Sequence, residues 1–114
     1  MTDRELLESA ARAAGYAVQV FGPDGHAYGV WHPGSACTPT WDPFNNDGDA
    51  LRLAVALGLT VHHYLETQEV GVRLPYCDDD IAGEFYNADP FAATRRAIVR
   101  GAAAMADTPA VGAA

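Results

Sequence analysis

The chain contains no lysine. Its 7 basic residues are all arginine, against 15 aspartates and glutamates, for a formal net charge of -8. That balance argues against direct nucleic-acid binding, since neutralising phosphates needs cations. It suits solubility, and equally a contact with a basic surface on another molecule. Cysteine is scarce, with Cys37 and Cys77 alone, and histidine is scattered. Neither is set at the spacing of a zinc site, so no metal and no cofactor is expected. No apolar run reaches the roughly 18 residues of a membrane-spanning helix. The opening Met1-Thr-Asp-Arg-Glu-Leu-Leu-Glu is charged where a secretory apolar segment would begin. Reduced thiols in a cytoplasm are therefore expected.

What is present suits one globular domain. The length of 114 residues is that of a single unit, and a hydrophobic fraction of 49% argues against disorder. Residues 1–106 are expected to form one α+β domain, with 107–114 as a small-residue tail that frays.

The organising stretch runs from Trp41 to Leu59, where a polar loop turns into a short, almost wholly apolar helix. Asp47 is the expected N-cap, Asp49 adds a negative charge to the first turn, and Gly58 ends the helix. Ala50, Leu53, Ala54 and Leu57 form one stripe. Leu51 and Val55 lie on another side, which predicts cover from a sheet and from a second helix, a loop or another subunit.

Around it, Asp3 to Ala14 reads as an amphipathic helix capped by Thr2 or Asp3 and ended by Gly15. Tyr16 to Phe21 and His26 to His32 read as a hairpin about the turn Gly22-Pro-Asp-Gly25. Pro33 to Asn46 reads as a long loop. Leu59 to Glu66 and Glu69 to Leu74 form a second hairpin, and Pro75 to Asp80 a loop. Ile81 to Tyr86 is a weak fifth strand or an irregular segment. Asp89 caps a last helix with Pro90 at its first position. Phe91, Ile98, Ala102 and Met105 form that helix's apolar stripe, flanked by Ala92 and Val99, while Arg95, Arg96 and Arg100 form its cationic side. The expected order is αββαββα: an antiparallel sheet of about four strands packed with three helices.

The blocks Trp41-Asp-Pro-Phe-Asn-Asn-Asp-Gly-Asp-Ala-Leu-Arg-Leu-Ala and Asp89-Pro-Phe-Ala-Ala-Thr-Arg-Arg-Ala-Ile-Val-Arg-Gly-Ala-Ala resemble the phage ABA sandwich domain, a family of small phage and prophage proteins. Leu6 to Gly15 is similar to that family's opening helix. The resemblance implies an α-β-α sandwich and a phage or prophage origin, hence the cytoplasm of a bacterial host. It implies no reaction, so no catalytic residue carries over and no enzyme is expected. Trp41, Asp47, Asp49, Arg95, Arg96 and Arg100 are expected to take structural roles: either a charge-assisted contact between the aspartates of one helix start and the arginines of the other helix holds the two in register, or the arginines face solvent.

The remaining candidates for chemistry are weak. His62 and His63 are neighbours on a strand and point to opposite faces. Asp42, Asn45, Asp47 and Asp49 fail the spacing of a calcium loop, because Pro43 would fall at the first ligand position. Asp78, Asp79 and Asp80 with Glu84 make an acidic patch, and Tyr76 and Tyr86 could supply its aromatic anchors. Trp31, Trp41 and Phe85 are further aromatics that suit such a surface or the core. The expected function is a non-catalytic acidic protein that binds a host protein by stoichiometric contact, an inhibitor of a defence system such as CRISPR being its boldest form. The alternatives are an oligomeric structural or packaging accessory, for which a homodimer is expected, and a small ligand-binding domain or enzyme.

Overall fold

A computed structural model describes residues 2–22, 26–32 and 37–106. The elements are α1 (Asp3–Ala14), β1 (Ala17–Phe21), β2 (Ala27–Trp31), β3 (Cys37–Trp41), α2 (Asp47–Leu57), β4 (Thr60–Tyr64), β5 (Glu69–Arg73), β6 (Ala82–Phe85) and α3 (Pro90–Ala106). The class is α+β, as expected. The single four-stranded sheet is not what the chain builds. There are two three-stranded antiparallel sheets, ordered β1-β2-β3 and β4-β5-β6.

Two short strands make the difference. Cys37–Trp41, expected within a loop, pairs with β2 from Trp31↔Cys37 to Ala27↔Trp41. Thr38, Thr40 and Trp41 are strand formers, and β3 is an edge strand, where Pro39 is tolerated. Ala82–Phe85 is poor in strand formers, yet it pairs with β5 from Val72↔Ala82 to Glu69↔Phe85. The free edge of β5 recruits it, so tertiary context overrides propensity. The centre of the turn within Gly22 to Gly25 and the tail 107–114 lie outside the described residues.

Helix ends follow local chemistry with one correction. Thr2 Oγ1 accepts from the Glu5 amide at 3.1 Å, and Gly15 ends α1 in the left-handed region. The cap of α2 is Asn46, not Asp47: its Oδ1 accepts from the Asp49 amide at 2.9 Å. The amides of Asn45 and Asn46 both donate to the Asp42 carbonyl. That tight turn leaves residue 46 extended and puts Asp47 already inside the helix. Gly58 ends α2 at φ +65°. Asp89 Oδ1 accepts from the amides of Phe91 and Ala92, with Pro90 at the first helical position.

α3 is the hub of the packing, lying against α1, α2, β5 and β6. Its buried residues are Ala93, Ala97, Ile98, Val99, Gly101, Ala102 and Ala103. A Cβ at Gly101 would come within 2.6 Å of Val72 Cγ1, so the bare backbone lets the helix lie close on β5. The expected stripe needs correction. Phe91 is 69% exposed and Met105 only partly buried, because small residues rather than large ones set this close approach.

α2 buries Ala50, Leu53, Ala54 and Leu57 as expected, but Leu51 and Val55 are 64% and 73% exposed. No described residue supplies the second cover. The second sheet is likewise covered on one side. Val70 and Val72 face α3, whereas Tyr64 and Phe85 are exposed. The helices therefore do not enclose this sheet between two layers, and the expected α-β-α sandwich is not formed there. In the first sheet Ala27, Val30 and Trp41 join the core, while Trp31 is half-exposed. Tyr16 packs edge-on against Trp41 with ring centroids 5.2 Å apart. Burial raises the Tyr16 pKa above its ordinary value, against the lowering charge of Arg52.

Candidate functional site

Fifteen acids on so small a surface raise one question: which of them already have partners. The turn into α2 is fully engaged. Asp42 is buried; its Oδ2 lies 2.9 Å from His26 Nε2, and its Oδ1 accepts from Asn45 Nδ2 at 3.2 Å. Asp49 Oδ2 accepts from the Asp42 amide at 2.9 Å, and Asp49 Oδ1 takes Arg52 Nη2 at 2.7 Å. Asp47 takes Arg95 Nη1 at 2.6 Å, and Arg95 Nε donates to the Phe44 carbonyl at 2.7 Å. The expected contact between the two helices thus exists through Asp47 and Arg95. Asp49 serves the turn instead.

The other two arginines of α3 reach different elements. Arg96 Nη2 donates to Asp3 Oδ1 at 3.0 Å, tying α3 to the start of α1, and its guanidinium lies 5.6 Å from the Phe44 ring centre. Arg100 donates to the Gly83 carbonyl at 2.7 Å and pairs with Glu84.

The acidic patch anticipated around residues 76–86 is divided by its partners. Glu84 is held between Arg96 and Arg100. Tyr86 is a correction: it is buried and hydrogen-bonded to His63 Nδ1, so it offers no exposed anchor. Asp80 folds back across the outer face of the second sheet. Its Oδ1 accepts from Arg73 Nε at 2.9 Å and its Oδ2 from the Tyr64 hydroxyl at 2.7 Å. A Cβ at position 71 would collide with that carboxylate, so only glycine leaves room for it. Burial raises the Asp80 pKa, but the bonds from Tyr64 and Arg73 and the nearby charges outweigh it, and the net shift is downward.

Tyr76, Asp78 and Asp79 remain exposed in one loop, and among the described residues none forms a hydrogen bond or ion pair with their side chains. The loop's turn is closed by the Cys77 amide donating to the Leu74 carbonyl at 3.2 Å. Tyr76 holds φ +63° and its ring is wholly exposed. A positive φ in a bulky residue is strained, so the surrounding turn holds Tyr76 out.

A second feature lies on the other side of the second sheet. A groove of about 320 Å³ runs between α2 and the start of α3. Ala50 and Ile98 are its buried floor, Leu51 and Phe91 its exposed sides, and His63 and the Asp47–Arg95 pair border it. Sequence spacing could not have found it, because its sides come from helices some forty residues apart.

His63 faces Tyr86 while His62 stacks near Tyr64 on the outer face, so the two imidazoles are separated by the sheet as expected. Among the described residues no three of His, Cys, Asp and Glu converge as metal ligands. Cys37 and Cys77 are exposed free thiols. No helix among the described residues is long and apolar enough to cross a membrane. Comparison with family models, with characterised proteins and with solved structures found no match to this chain.

Proposed function

We propose that the chain is a non-catalytic binding protein, acting by stoichiometric contact with a basic surface on another protein. The observation that carries this is the loop of Tyr76, Asp78 and Asp79. The fold absorbs Asp80 and Glu84 into ion pairs but leaves the Tyr76 ring and the Asp78 and Asp79 side chains exposed in one loop. An exposed tyrosine is a strong anchor for an interface, and neighbouring carboxylates select arginines and lysines. Neighbouring exposed carboxylates can occupy sites where a partner binds phosphates. In the setting that the family resemblance implies, the partner is a host protein of a phage-carrying bacterium. A nucleic-acid-handling defence complex is the boldest version.

The test is affinity capture from host lysate with the intact chain and with a Tyr76→Ala/Asp78→Asn/Asp79→Asn variant, followed by mass spectrometry. A partner that is retained by the first, lost by the second and released by moderate salt supports the proposal. Equal capture by both proteins, with circular dichroism showing both folded, would overturn it. The structural-accessory alternative draws on a different observation, the uncovered apolar side of α2.

A further inference from the structure

Residues 75–80 lead from β5 towards β6, and backbone bonds hold the two ends of this loop. The Cys77 amide donates to the Leu74 carbonyl at 3.2 Å, and the Ile81 amide donates to the Val72 carbonyl at 2.8 Å. Between them, among the described residues, no backbone hydrogen bond involves Asp78, Asp79 or Asp80. The side chain of Asp80 supplies the missing hold. Its carboxylate joins a closed triangle: Arg73 Nε donates to Oδ1, the Tyr64 hydroxyl donates to Oδ2, and Arg73 Nη2 donates to the Tyr64 oxygen at 3.4 Å. The sheet is shaped to receive it. A Cβ at Gly71 would lie 2.1 Å from Asp80 Oδ2. Gly71 is in the middle strand of its sheet and does not have a positive φ, so its backbone does not require glycine. Glycine weakens a strand interior, and what the missing side chain provides here is the seat for Asp80.

We propose that Asp80 is the positioning residue of the recognition loop: seated over Gly71 by Tyr64 and Arg73, it fixes the segment from which Asp78 and Asp79 meet a basic partner. This role rests on the loop being the contact, as proposed above. A segment ordered in the free chain loses little conformational entropy on binding. Its two acids therefore hold a rigid cationic surface more tightly than the same acids on a loose chain. Asp80 acts through its neighbours and need not touch the partner, because its carboxylate is already engaged with Arg73 and Tyr64.

Gly71→Ala tests this without changing any charge or any side chain of the loop. The added methyl displaces the seated carboxylate, while alanine suits the strand backbone at least as well as glycine. Two measurements on the full chain are needed: nitrogen-15 relaxation of the Asp78, Asp79 and Asp80 amides, and affinity for a cyclic hexa-arginine peptide by fluorescence anisotropy at low salt. A cyclic peptide is used because it cannot mould itself to a loosened loop as a linear one can. In the parent these amides should be as rigid as those of β5. In Gly71→Ala they should gain fast motion, and affinity should fall by about fivefold. Arg73→Gln sharpens the contrast, because the two explanations predict opposite signs. It makes the chain more acidic, so charge alone predicts tighter binding, whereas loss of the seat predicts weaker binding. The Tyr76→Ala/Asp78→Asn/Asp79→Asn variant separates this role from the contact on which it rests. If that variant binds the peptide as the parent does, the loop is not the contact and both proposals fall. If it binds weakly while Gly71→Ala and Arg73→Gln bind at least as well as the parent, the loop is the contact and the positioning role of Asp80 is overturned. Unchanged relaxation at residues 78–80 in a folded Gly71→Ala or Arg73→Gln chain would overturn that role as well, whatever the affinities.

Discussion

Two acidic segments of this chain read alike and do opposite things. The turn of Asp42, Asp47 and Asp49 commits its charges to the fold: one carboxylate is buried, one returns to a backbone amide, and one, itself exposed, joins two helices. The loop of Asp78, Asp79 and Asp80 keeps one acid for the fold and leaves two outside. The difference does not lie in the acids. It lies in the density of donors around them. The turn opens a helix whose free amides face it, and an arginine from α3 closes over it. The second loop has one arginine within reach, and Asp80 takes it. A carboxylate with several donors is part of the architecture, and one with none is available to a partner.

The contrast is broken most severely at the anchor of the first segment. Trp41→Ala should cost about 3–5 kcal/mol in urea unfolding, because a fully buried indole leaves a cavity under the turn. A loss below 1 kcal/mol would mean that the turn does not depend on the core beneath it. Asp49→Ala should cost roughly 1–2 kcal/mol, since the Asp42 amide and Arg52 lose a shared acceptor. Thermal stability equal to the parent's would remove the structural role given to that carboxylate.

Asp80 supplies a pH-dependent test. Its folded pKa lies below the ordinary carboxylate value, so it contributes stability above that value and loses it as the pH falls through the folded pKa. Between about pH 5 and pH 2 the parent should lose more stability than Asp80→Asn, by a modest amount because the site is partly exposed. Parallel stability curves would show that the Tyr64–Asp80–Arg73 cluster adds nothing. The smallest effect belongs to the outer acids. Asp78→Asn and Asp79→Asn should each change stability by no more than about 0.5 kcal/mol, while weakening capture of a basic partner. A larger loss would show that these acids hold the fold and are not free for binding.

Much of the framework was legible from local chemistry. The ends of α1 and α3, the glycine after α2 and the buried stripe Ala50, Leu53, Ala54 and Leu57 all follow from capping and period. The N-cap of α2 was displaced by one residue, because two asparagine amides close on Asp42 before the helix starts. β3 was hidden by its proline, and β6 was legible only as a weak candidate because of its poor strand composition. Of the anticipated surface residues, Tyr76, Asp78 and Asp79 are exposed, while Tyr86 went to the core and Asp80 and Glu84 to arginines. Gly71 was the one written sign that something would cross the sheet there.

Residue order alone determined which segments coil, where they cap and which stripe of α2 is buried, because those choices depend on neighbours within about four positions. Only the assembled fold decided that the strands form two sheets, that Asp80 lies over Gly71 and that Leu51, Val55 and Phe91 remain uncovered. Those outcomes depend on which free edge, cation or apolar face arrives from elsewhere in the chain, and no local pattern encodes that arrival.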